Sequence, residues 1–264
     1  FATYCSLGLV AGAGLIYRFM DKFDAGPRHK RRVLLVRFLA HLATHGWPLL
    51  AGMGALLTAL MMTGSRAGLL AGALGVFVVL ALCLIRGRQR RARSLLAAFA
   101  VVVLGLVALF SFSGDQTISR LNQLDQDGEA RIAAYHLMID GIRERPVTGY
   151  GMGSFREFFI LNRDSSFGHR DFRRGHNDYL ELALGVGLPA AGLWLLAILS
   201  LLVIILRNVI SVENARPMGA ICALGATTVV ATHSLVDFSL QIPAVAIAYV
   251  ALLACGLSRS TRDD

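Results

Sequence analysis

The sequence predicts an all-α integral membrane protein, from its composition and the spacing of its apolar runs. Of the 264 residues, 55% are hydrophobic and only 16% are charged, and the mean hydropathy is +0.60. A soluble domain carries about 25% charged residues. Apolar runs long enough for a helix to cross the bilayer, about 20 residues, recur along the chain. This pattern excludes a disordered chain, a nucleic-acid-binding domain and a small disulfide-rich scaffold.

About seven apolar runs are candidate membrane spans. They cover residues 1–20, 47–64, 67–85, 95–112, 187–206, 218–236 and 242–257. Residues 33–45 are apolar but carry Arg37, His41 and His45, so they predict an interfacial helix that runs into the next span. The four cysteines lie within apolar runs and lack a CxxC spacing. They are expected to be small buried hydrophobic residues rather than disulfide partners or metal ligands.

The positions of the basic residues orient these spans. Arginines, which carry most of the net charge of +9, are frequent in the linker 21–46, directly after residue 85, in 207–217 and in the C-terminal tail. The positive-inside rule places these loops in the cytoplasm. The predicted organisation is four transmembrane helices in 1–112, a periplasmic segment in 113–181, and three transmembrane helices with a short cytoplasmic tail in 182–264.

The periplasmic segment is the part of the chain with the composition of a soluble domain. Residues 129–144 predict an amphipathic helix that Pro146 ends. Its apolar stripe is predicted to comprise Ile132, Tyr135, Ile139 and Ile142. The glycine-rich stretch 149–153 predicts a turn, and Ser154 followed by Glu157 predicts a capping box at the start of a short helix. After a polar loop, the chain is expected to become helical again from His176 onwards.

Ser65 and Arg66 stand between two spans that almost no residues separate. A charge inside the hydrocarbon is costly, so such an arginine usually faces a cavity or a partner, or reaches the interface. One interpretation is an interfacial anchor. The other is an anion clamp, because a guanidinium group binds two phosphate oxygens at once.

The sequence Arg173-Arg174-Gly175-His176-Asn177 lies where the periplasmic segment re-enters the membrane. A histidine in this position can serve as a general base, since imidazole titrates near neutral pH. The two arginines are expected to keep the ring neutral and able to accept a proton. A structural or surface histidine is the alternative that composition alone leaves open.

Two further groups of polar residues allow two interpretations each. His233 and Asp237 are four residues apart on one predicted helix, and form either a buried hydrogen-bonded pair or the polar lining of a membrane cavity. Asp125-Gln126-Asp127 could hold a divalent cation against a sugar pyrophosphate. Because acids are frequent around this triplet, we expect an ordinary acidic loop instead.

The order of these motifs over residues 47–257 resembles that of the O-antigen ligase family (WaaL-type). That family shares a domain with Wzy-type polymerases and with bacterial protein O-oligosaccharyltransferases. In chain order the motifs are Ser65-Arg66, Arg131, Pro146, Gly149-Tyr150-Gly151-Met152-Gly153 with Phe155, His176-Asn177 with nine residues before Gly187, and His233-Ser234-Leu235-Val236-Asp237-Phe238. The spacing from His176-Asn177 to Gly187 is the most specific part. Because family members have more spans, the resemblance implies that this chain is the C-terminal portion.

The resemblance implies a GT-C-type glycosyltransferase in the bacterial inner membrane with its active face in the periplasm. Such enzymes transfer a glycan from undecaprenyl pyrophosphate to a hydroxyl of lipid A-core, of a growing polysaccharide or of a protein. It implies His176 as the catalytic base, with inversion at the anomeric carbon. It implies Arg66 and Arg131 as donor-pyrophosphate ligands. Four further residues are expected to support them: Arg173, Arg174, Asn177 and Asp237. No metal, cofactor or nucleic acid is expected.

A flippase or transporter component for lipid-linked glycans is the alternative from another class. Polar residues near the middle of the membrane would mark its pathway. The candidate residues of this chain instead come from separate segments that the predicted topology brings to one face. That distribution favours the transferase.

The predicted topology can be tested with single cysteines in a cysteine-free background. We expect a membrane-impermeant maleimide to label a cysteine at Asp125 from the periplasm of intact cells. A cysteine at Gln89, in the basic loop, should react only after the inner membrane is permeabilised. Labelling at position 125 only after that permeabilisation would invert the predicted orientation.

Overall fold

The computed structural model describes residues 1–22, 40, 42–86, 117–164, 167, 171–211 and 217–258, with the backbone alone at 20–22, 42–43 and 117–127. The regular elements of this part are all helical. They are α1 (Ala2–Lys22), α2 (Trp47–Met62), α3 (Arg66–Ile85), α4 (Thr117–Glu144), α5 (Phe155–Asn162), α6 (Asp178–Ile210), α7 (Met218–His233) and α8 (Pro243–Leu257). A π-helical turn, Leu42–Gly46, leads into α2, and a 3-10 turn, Ser239–Gln241, precedes α8.

Three helical stretches of the described part are long and apolar enough to cross a membrane: Thr44–Met62, Arg66–Ile85 and Asp178–Ile210. The predicted spans 47–64, 67–85 and 187–206 fall within or almost within them. The predicted spans 218–236 and 242–257 correspond to α7 and α8, which are apolar but shorter. The span predicted at 1–20 forms helix α1, which is not among these apolar stretches. The span predicted at 95–112 lies outside the described residues, and most of the interfacial helix predicted at 33–45 does too. The helical class is thus confirmed, while seven spans and the GT-C architecture stay predictions.

The chain divides into two compact units. The first unit comprises Phe1–Leu96, Val203–Val230 and Ile247–Asp264, and the second comprises Ala97–Leu202 and Ala231–Ala246. Helix α6 begins in the second unit and ends in the first. Each unit has its own packing.

The first unit packs its helices through small residues. Helix α1 packs against α2 and α3. The buried face of α3 includes Gly68, Ala71, Gly72 and Gly75. Ser6 Oγ donates a hydrogen bond to Gly68 O across this contact (3.1 Å), and a Cβ added at Gly72 would lie 2.6 Å from Ser6 Oγ. Such close packing of small residues is typical of helices that associate in a membrane.

Three of the four cysteines are buried, as predicted, and all four are free thiols. The prediction is wrong for Cys255, which is exposed on α8. The buried ones behave as small apolar side chains in contacts such as that of Cys222 with α1, where a Cβ added at Gly14 would collide with its sulfur.

The second unit is built around an aromatic core that α4, α5 and the first half of α6 share. Its buried members are Ala134, Met138, Ile142, Phe155, Phe158, Phe159, Phe167, Ala183, Leu184 and Ala191. Helix α4 ends at Glu144, next to Pro146 as predicted. The stripe predicted for α4 is wrong in part, because Ile142 is buried but Ile132 is 56% exposed. The small residues of α4 face the core because they allow bulky phenylalanines to approach: a Cβ at Gly141 would lie 2.7 Å from Phe158 Cε2.

Helix α5 starts where the sequence predicts, but not through the predicted capping box. Ser154 is the N-cap residue, yet its side chain caps no N–H of the helix. The Ser154 hydroxyl donates instead to Gly151 O (2.7 Å). This bond stabilises the glycine turn, so the serine acts on the preceding turn rather than on the helix that follows.

Helix α6 is broken in its first third. Gly187 has a φ of +79° and a ψ of 165°, and Pro189 follows. Proline has no N–H, so Gly185 O loses the donor that a continuous helix would supply. Unpaired carbonyls are costly inside a membrane protein, and the break therefore requires donors from elsewhere.

The segment 146–151 supplies those donors. Tyr150 N–H donates to Leu184 O (2.9 Å) and Gly151 N–H donates to Gly185 O (2.8 Å). In return, Leu188 N–H of α6 donates to Pro146 O (2.8 Å). Gly149, at φ +63°, lies directly against these carbonyls, since a Cβ there would stand 2.6 Å from Leu184 O. Gly149 and Gly187 thus serve one close contact between two backbones.

This contact predicts that Gly187→Ala destabilises the protein. The combination of φ +79° and ψ 165° costs a residue with a Cβ roughly 1–3 kcal/mol, and the new Cβ would collide with Val147 O. We expect a lower apparent melting temperature of the purified protein in detergent. Gly192→Ala is the matched control on the same helix, because its Cβ would meet no atom within 4 Å. Equal melting temperatures for the two variants would contradict the account of the break.

Candidate active site

Within the second unit, Asp178 joins the start of α6 to the turn between α7 and α8. Its backbone N–H donates to Ser234 O (2.9 Å). Its carboxylate accepts three hydrogen bonds: from Ser234 Oγ (2.7 Å), Leu240 N–H (3.0 Å) and Gln241 Nε2 (3.3 Å). Only 8% of Asp178 is exposed. The carboxylate is therefore committed to structural hydrogen bonds.

Asn177 makes a second link to the same turn. Its Oδ1 caps α6 by accepting from Tyr179 N–H (3.1 Å) and Leu180 N–H (3.0 Å). Its Nδ2 donates to Leu235 O (3.0 Å). A single amide thus uses both of its ends, which explains why an asparagine and not another capping residue stands here. The motifs around residues 176 and 235, far apart in sequence, become one structural unit.

His176 immediately precedes this linkage and has an unusual backbone. Its φ is +52°, and among the described residues it alone combines a positive φ with a side chain. Its carbonyl oxygen accepts a hydrogen bond from Tyr135 Oη on α4 (2.8 Å). The edges of two aromatic rings flank the imidazole, Phe172 at 6.1 Å and Phe238 at 5.2 Å between ring centroids. Such a conformation persists only where neighbours fix it, and it often marks a functional position.

Asp237 lies between two histidines. Its Oδ1 is 3.7 Å from His176 Nδ1, and its Oδ2 is 3.7 Å from His233 Nδ1. Phe238 N–H donates to Oδ1 (2.9 Å). Burial acts to raise the pKa of Asp237, but interactions with His176, the Phe238 N–H and His233 outweigh it and lower the pKa. Asp237 is therefore ionised at neutral pH and presents its charge to the His176 ring.

The two histidines differ in access. His233 is buried (2% exposed), and its Nδ1 is 3.0 Å from Ser239 Oγ. The His176 side chain is 27% exposed. The prediction that His233 and Asp237 share one helix is wrong, since α7 ends at His233 and Asp237 lies in the turn that follows. Their separation of 3.7 Å is too long for a hydrogen bond, so the predicted buried hydrogen-bonded pair does not form either. Asp237 also serves the accessible His176, which sequence spacing did not indicate.

The exposed side of His176 opens into a cleft of about 540 Å³. Its lining comprises Arg131, Asp171, Phe172, Arg173, Arg174, His176 and Phe238. Two of its charges are compensated, since Asp171 pairs with Arg156 (3.5 Å) and Arg174 pairs with Glu181 (3.5 Å). Among the described side chains, no carboxylate lies within ion-pair distance of Arg131 or Arg173. The cleft is therefore suited to an anion with several oxygens.

Arg66, the other predicted pyrophosphate ligand, belongs to the first unit. It is the exposed first residue of α3. Ser65 before it is the N-cap, and its Oγ accepts from Gly68 N–H (3.0 Å). The role of Ser65 is thus structural, while the role of Arg66 stays a prediction.

The remaining candidates are the acidic triplet at 125–127 and the other histidines. The loop predicted around Asp125 and Asp127 is wrong, since their backbone belongs to α4, and their side chains lie outside the described residues. The described side chains contain no cluster of three potential metal ligands. His136 is exposed on α4, while His41 and His169 are not among the described residues.

Sequence reasoning missed three residues that organise the site. Tyr135 was predicted only as an apolar position of α4, and no spacing signals that its hydroxyl reaches His176. Ser234 and Gln241 both donate to Asp178. The sequence His-Ser-Leu-Val-Asp-Phe contains Ser234, but only the fold pairs it with a carboxylate 56 residues away.

These features define a helical protein with membrane-length apolar helices and a histidine-centred, arginine-lined polar site. The sequence profile of the O-antigen ligase family matches residues 51–195, more than half of the chain. The chain belongs to this family, whose members are membrane proteins and which indicates a glycosyltransferase-like function. The matched range contains Arg66, Arg131 and His176 but ends before Asp237. No protein of curated function matches the chain.

The double role of Asn177 leads to a test with two substitutions. We expect Asn177→Ala to lower stability by about 0.5–2 kcal/mol through loss of the cap, with a further loss from the missing bond to Leu235 O. Asn177→Ser can still cap α6 but cannot reach Leu235, so its melting temperature should lie between those of the wild type and Asn177→Ala. Asn162→Ala, at an exposed amide on α5, is the control. Equal effects of the serine and alanine substitutions would exclude the capping role.

Proposed function

We propose that the protein is an inverting, metal-independent glycosyltransferase that moves a glycan from undecaprenyl pyrophosphate to an acceptor hydroxyl. The observation that carries the proposal is the accessible His176 ring in a cleft lined by three arginines. A base and a set of anion ligands in one cleft suit a reaction in which a hydroxyl loses a proton while a phosphate group departs. The membrane character of the family supports a lipid-linked donor.

In the proposed reaction, His176 removes the proton of the acceptor hydroxyl. Since Nδ1 faces Asp237, Nε2 is the nitrogen available to the acceptor. The acceptor oxygen forms a bond to the anomeric carbon, and the bond from that carbon to the pyrophosphate oxygen breaks with its electron pair going to the pyrophosphate. Attack opposite the leaving group inverts the anomeric configuration. The imidazolium that forms is stabilised by the ionised Asp237, the role a carboxylate has in a catalytic triad.

The arginines have separate tasks in this scheme. Arg131 and Arg173, which lack a carboxylate partner among the described side chains, stabilise the negative charge that develops on the departing pyrophosphate. Arg174 is partly neutralised by Glu181, so it binds and orients more than it supplies charge. Arg66 is proposed as a further pyrophosphate ligand. Because these guanidinium groups supply the compensating charge, the scheme requires no metal.

We place the reaction at the periplasmic face of the bacterial inner membrane. The donor would reach the cleft from the lipid phase, and the acceptor would be lipid A-core, a growing polysaccharide or a protein. The arrangement of the base and anion ligands in one cleft favours a transferase over a transporter component, for which no proton acceptor beside an anion site is needed.

The proposal predicts that His176→Ala abolishes transfer while the protein still folds and binds donor. A general base contributes about 10²–10⁴-fold to the rate, so we expect a loss of that size in turnover. The measurement is transfer in vitro from a purified polyprenyl-pyrophosphate donor, with donor affinity determined in parallel. His136→Ala, at an exposed histidine of α4 away from the cleft, should keep wild-type turnover.

The two readouts separate the roles that His176 could have. Near-normal turnover in His176→Ala would refute the role as base. A loss of activity explained entirely by weaker donor binding would make His176 a pyrophosphate ligand. In that case Asp237 would be the next candidate for the base, since Asp178 and Glu181 are engaged in structural bonds.

A further inference from the structure

A second cavity in the second unit shares Arg174 with the His176 cleft. It has a volume of about 370 Å³, within the range of about 300–1,000 Å³ that ligand pockets occupy. Its apolar lining comes from Met152, Leu182, Trp194 and Leu240, and its polar lining includes Arg174 and Gln241. Neither the base nor the proposed pyrophosphate ligands Arg66 and Arg131 line it, so the proposed reaction leaves its purpose open.

The polar wall of this cavity is held in place by buried carboxylates. Glu181, whose side chain is 7% exposed, pairs with the Arg174 guanidinium (3.5 Å) and accepts a hydrogen bond from Gly175 N–H (2.7 Å). Gln241 Nε2 donates to Asp178 Oδ1 (3.3 Å). The amide oxygen of Gln241 accepts no hydrogen bond from the described residues. The cavity thus presents an oriented acceptor and a fixed guanidinium donor.

The rest of the lining is mainly apolar and includes a large aromatic side chain. Trp194 is 40% exposed and Met152 is 77% exposed. An indole ring in the same cavity as oriented hydrogen-bonding groups matches a pyranose ring, which has one face of C–H groups and a rim of hydroxyls. An isoprenoid chain fits less well, because it would cover the amide and guanidinium groups without giving them hydrogen bonds.

We propose that this cavity binds a sugar ring of the transferred or receiving glycan, with the ring stacked on Trp194 and its hydroxyls bonded to Gln241 and Arg174. The inference rests on the proposed function for the identity of its ligand. Arg174 lines both cavities, so a sugar held here lies next to the cleft that contains His176. The glycan can belong to the donor or to the acceptor, since both carry sugar rings.

The sequence provides a direct reporter, because Trp47 and Trp194 are its two tryptophans. In this 264-residue chain carrying Trp47→Phe, the tryptophan fluorescence comes from Trp194. The probes are the oligosaccharide released by mild acid from the lipid-linked glycan of the source bacterium and the core oligosaccharide of its lipopolysaccharide. We expect a saturable change in emission with one of them, which identifies the donor or the acceptor as the source of the sugar.

Gln241→Ala in the same background should weaken that binding roughly two- to ten-fold, the effect of one hydrogen bond. Asn162→Ala, which removes an exposed amide outside the cavity, should leave it unchanged. His176→Ala should also leave it unchanged, because the base does not line this cavity. A single cooperative melting transition well above the assay temperature verifies that each variant is folded.

The possible results distinguish this inference from the proposed function. Absence of a saturable change with either oligosaccharide, in a protein that still transfers glycan, overturns the sugar subsite and leaves the proposed function intact. Binding of oligosaccharide by a protein that transfers no glycan supports the subsite and counts against the proposed function. A saturable change with farnesyl pyrophosphate that neither oligosaccharide displaces assigns the cavity to lipid and overturns the inference.

Discussion

The first turn of α6 is the point on which the candidate site depends. Asn177 caps this turn and binds Leu235 O, and Asp178 accepts hydrogen bonds from Ser234, Leu240 and Gln241. These bonds hold the segment after α7 against the start of α6. Asp237 reaches the His176 ring only because that segment is fixed. Without the two side chains, the Asp178 N–H bond to Ser234 O would remain, but His176 and Asp237 would lose most of the bonds that hold their segments together.

A second constraint acts at the break in α6, and it consists of backbone hydrogen bonds. The break at Gly187 removes helical donors, and the turn at 146–151 replaces them. A continuous helix would need no such partner, so the break obliges α6 to remain attached to the chain that follows α4. Since α4 carries both Arg131 and Tyr135, this attachment helps to place them on the same side of the second unit as His176.

The sequence was sufficient to predict the helical class, the apolar spans at α2, α3 and α6, and the order of motifs that the family match supports. Apolar runs and helix-ending residues such as Pro146 act on neighbouring residues, so their effect can be predicted from the sequence alone. The buried face of α4 was predicted incorrectly because small residues face the phenylalanine core, and their burial depends on partners from α5 and α6. By hydrophobicity alone, Ile132 is expected to be buried in preference to Ala134. In the structure Ala134 is buried and Ile132 is exposed, because the space beside Phe158 and Phe159 suits a small side chain.

The candidate site shows more clearly that contacts between distant parts of the chain cannot be predicted from local sequence. His176 was predicted from its neighbours in the chain, but its positive φ, the Tyr135 bond and the sharing of Asp237 between two histidines arise from contacts over long sequence distances. No spacing rule links residues 135, 176 and 237. The double use of Asn177 is also invisible in sequence, since capping asparagines are common and the second bond needs the turn at 235.

Among the described side chains, a carboxylate pairs with Arg174 but none pairs with Arg131 or Arg173. This difference determines which positive charges face the cleft. Glu181, buried and bonded to Gly175, binds Arg174 and fixes it between two cavities. Asp237 is held by Phe238 N–H and faces the histidines rather than an arginine. Arg131 and Arg173 retain their charge toward the cleft. If an acid of the cleft neutralised them, an anionic ligand would gain nothing there. An imidazole and an anion site can occupy one cleft because each acidic residue is committed to a different partner.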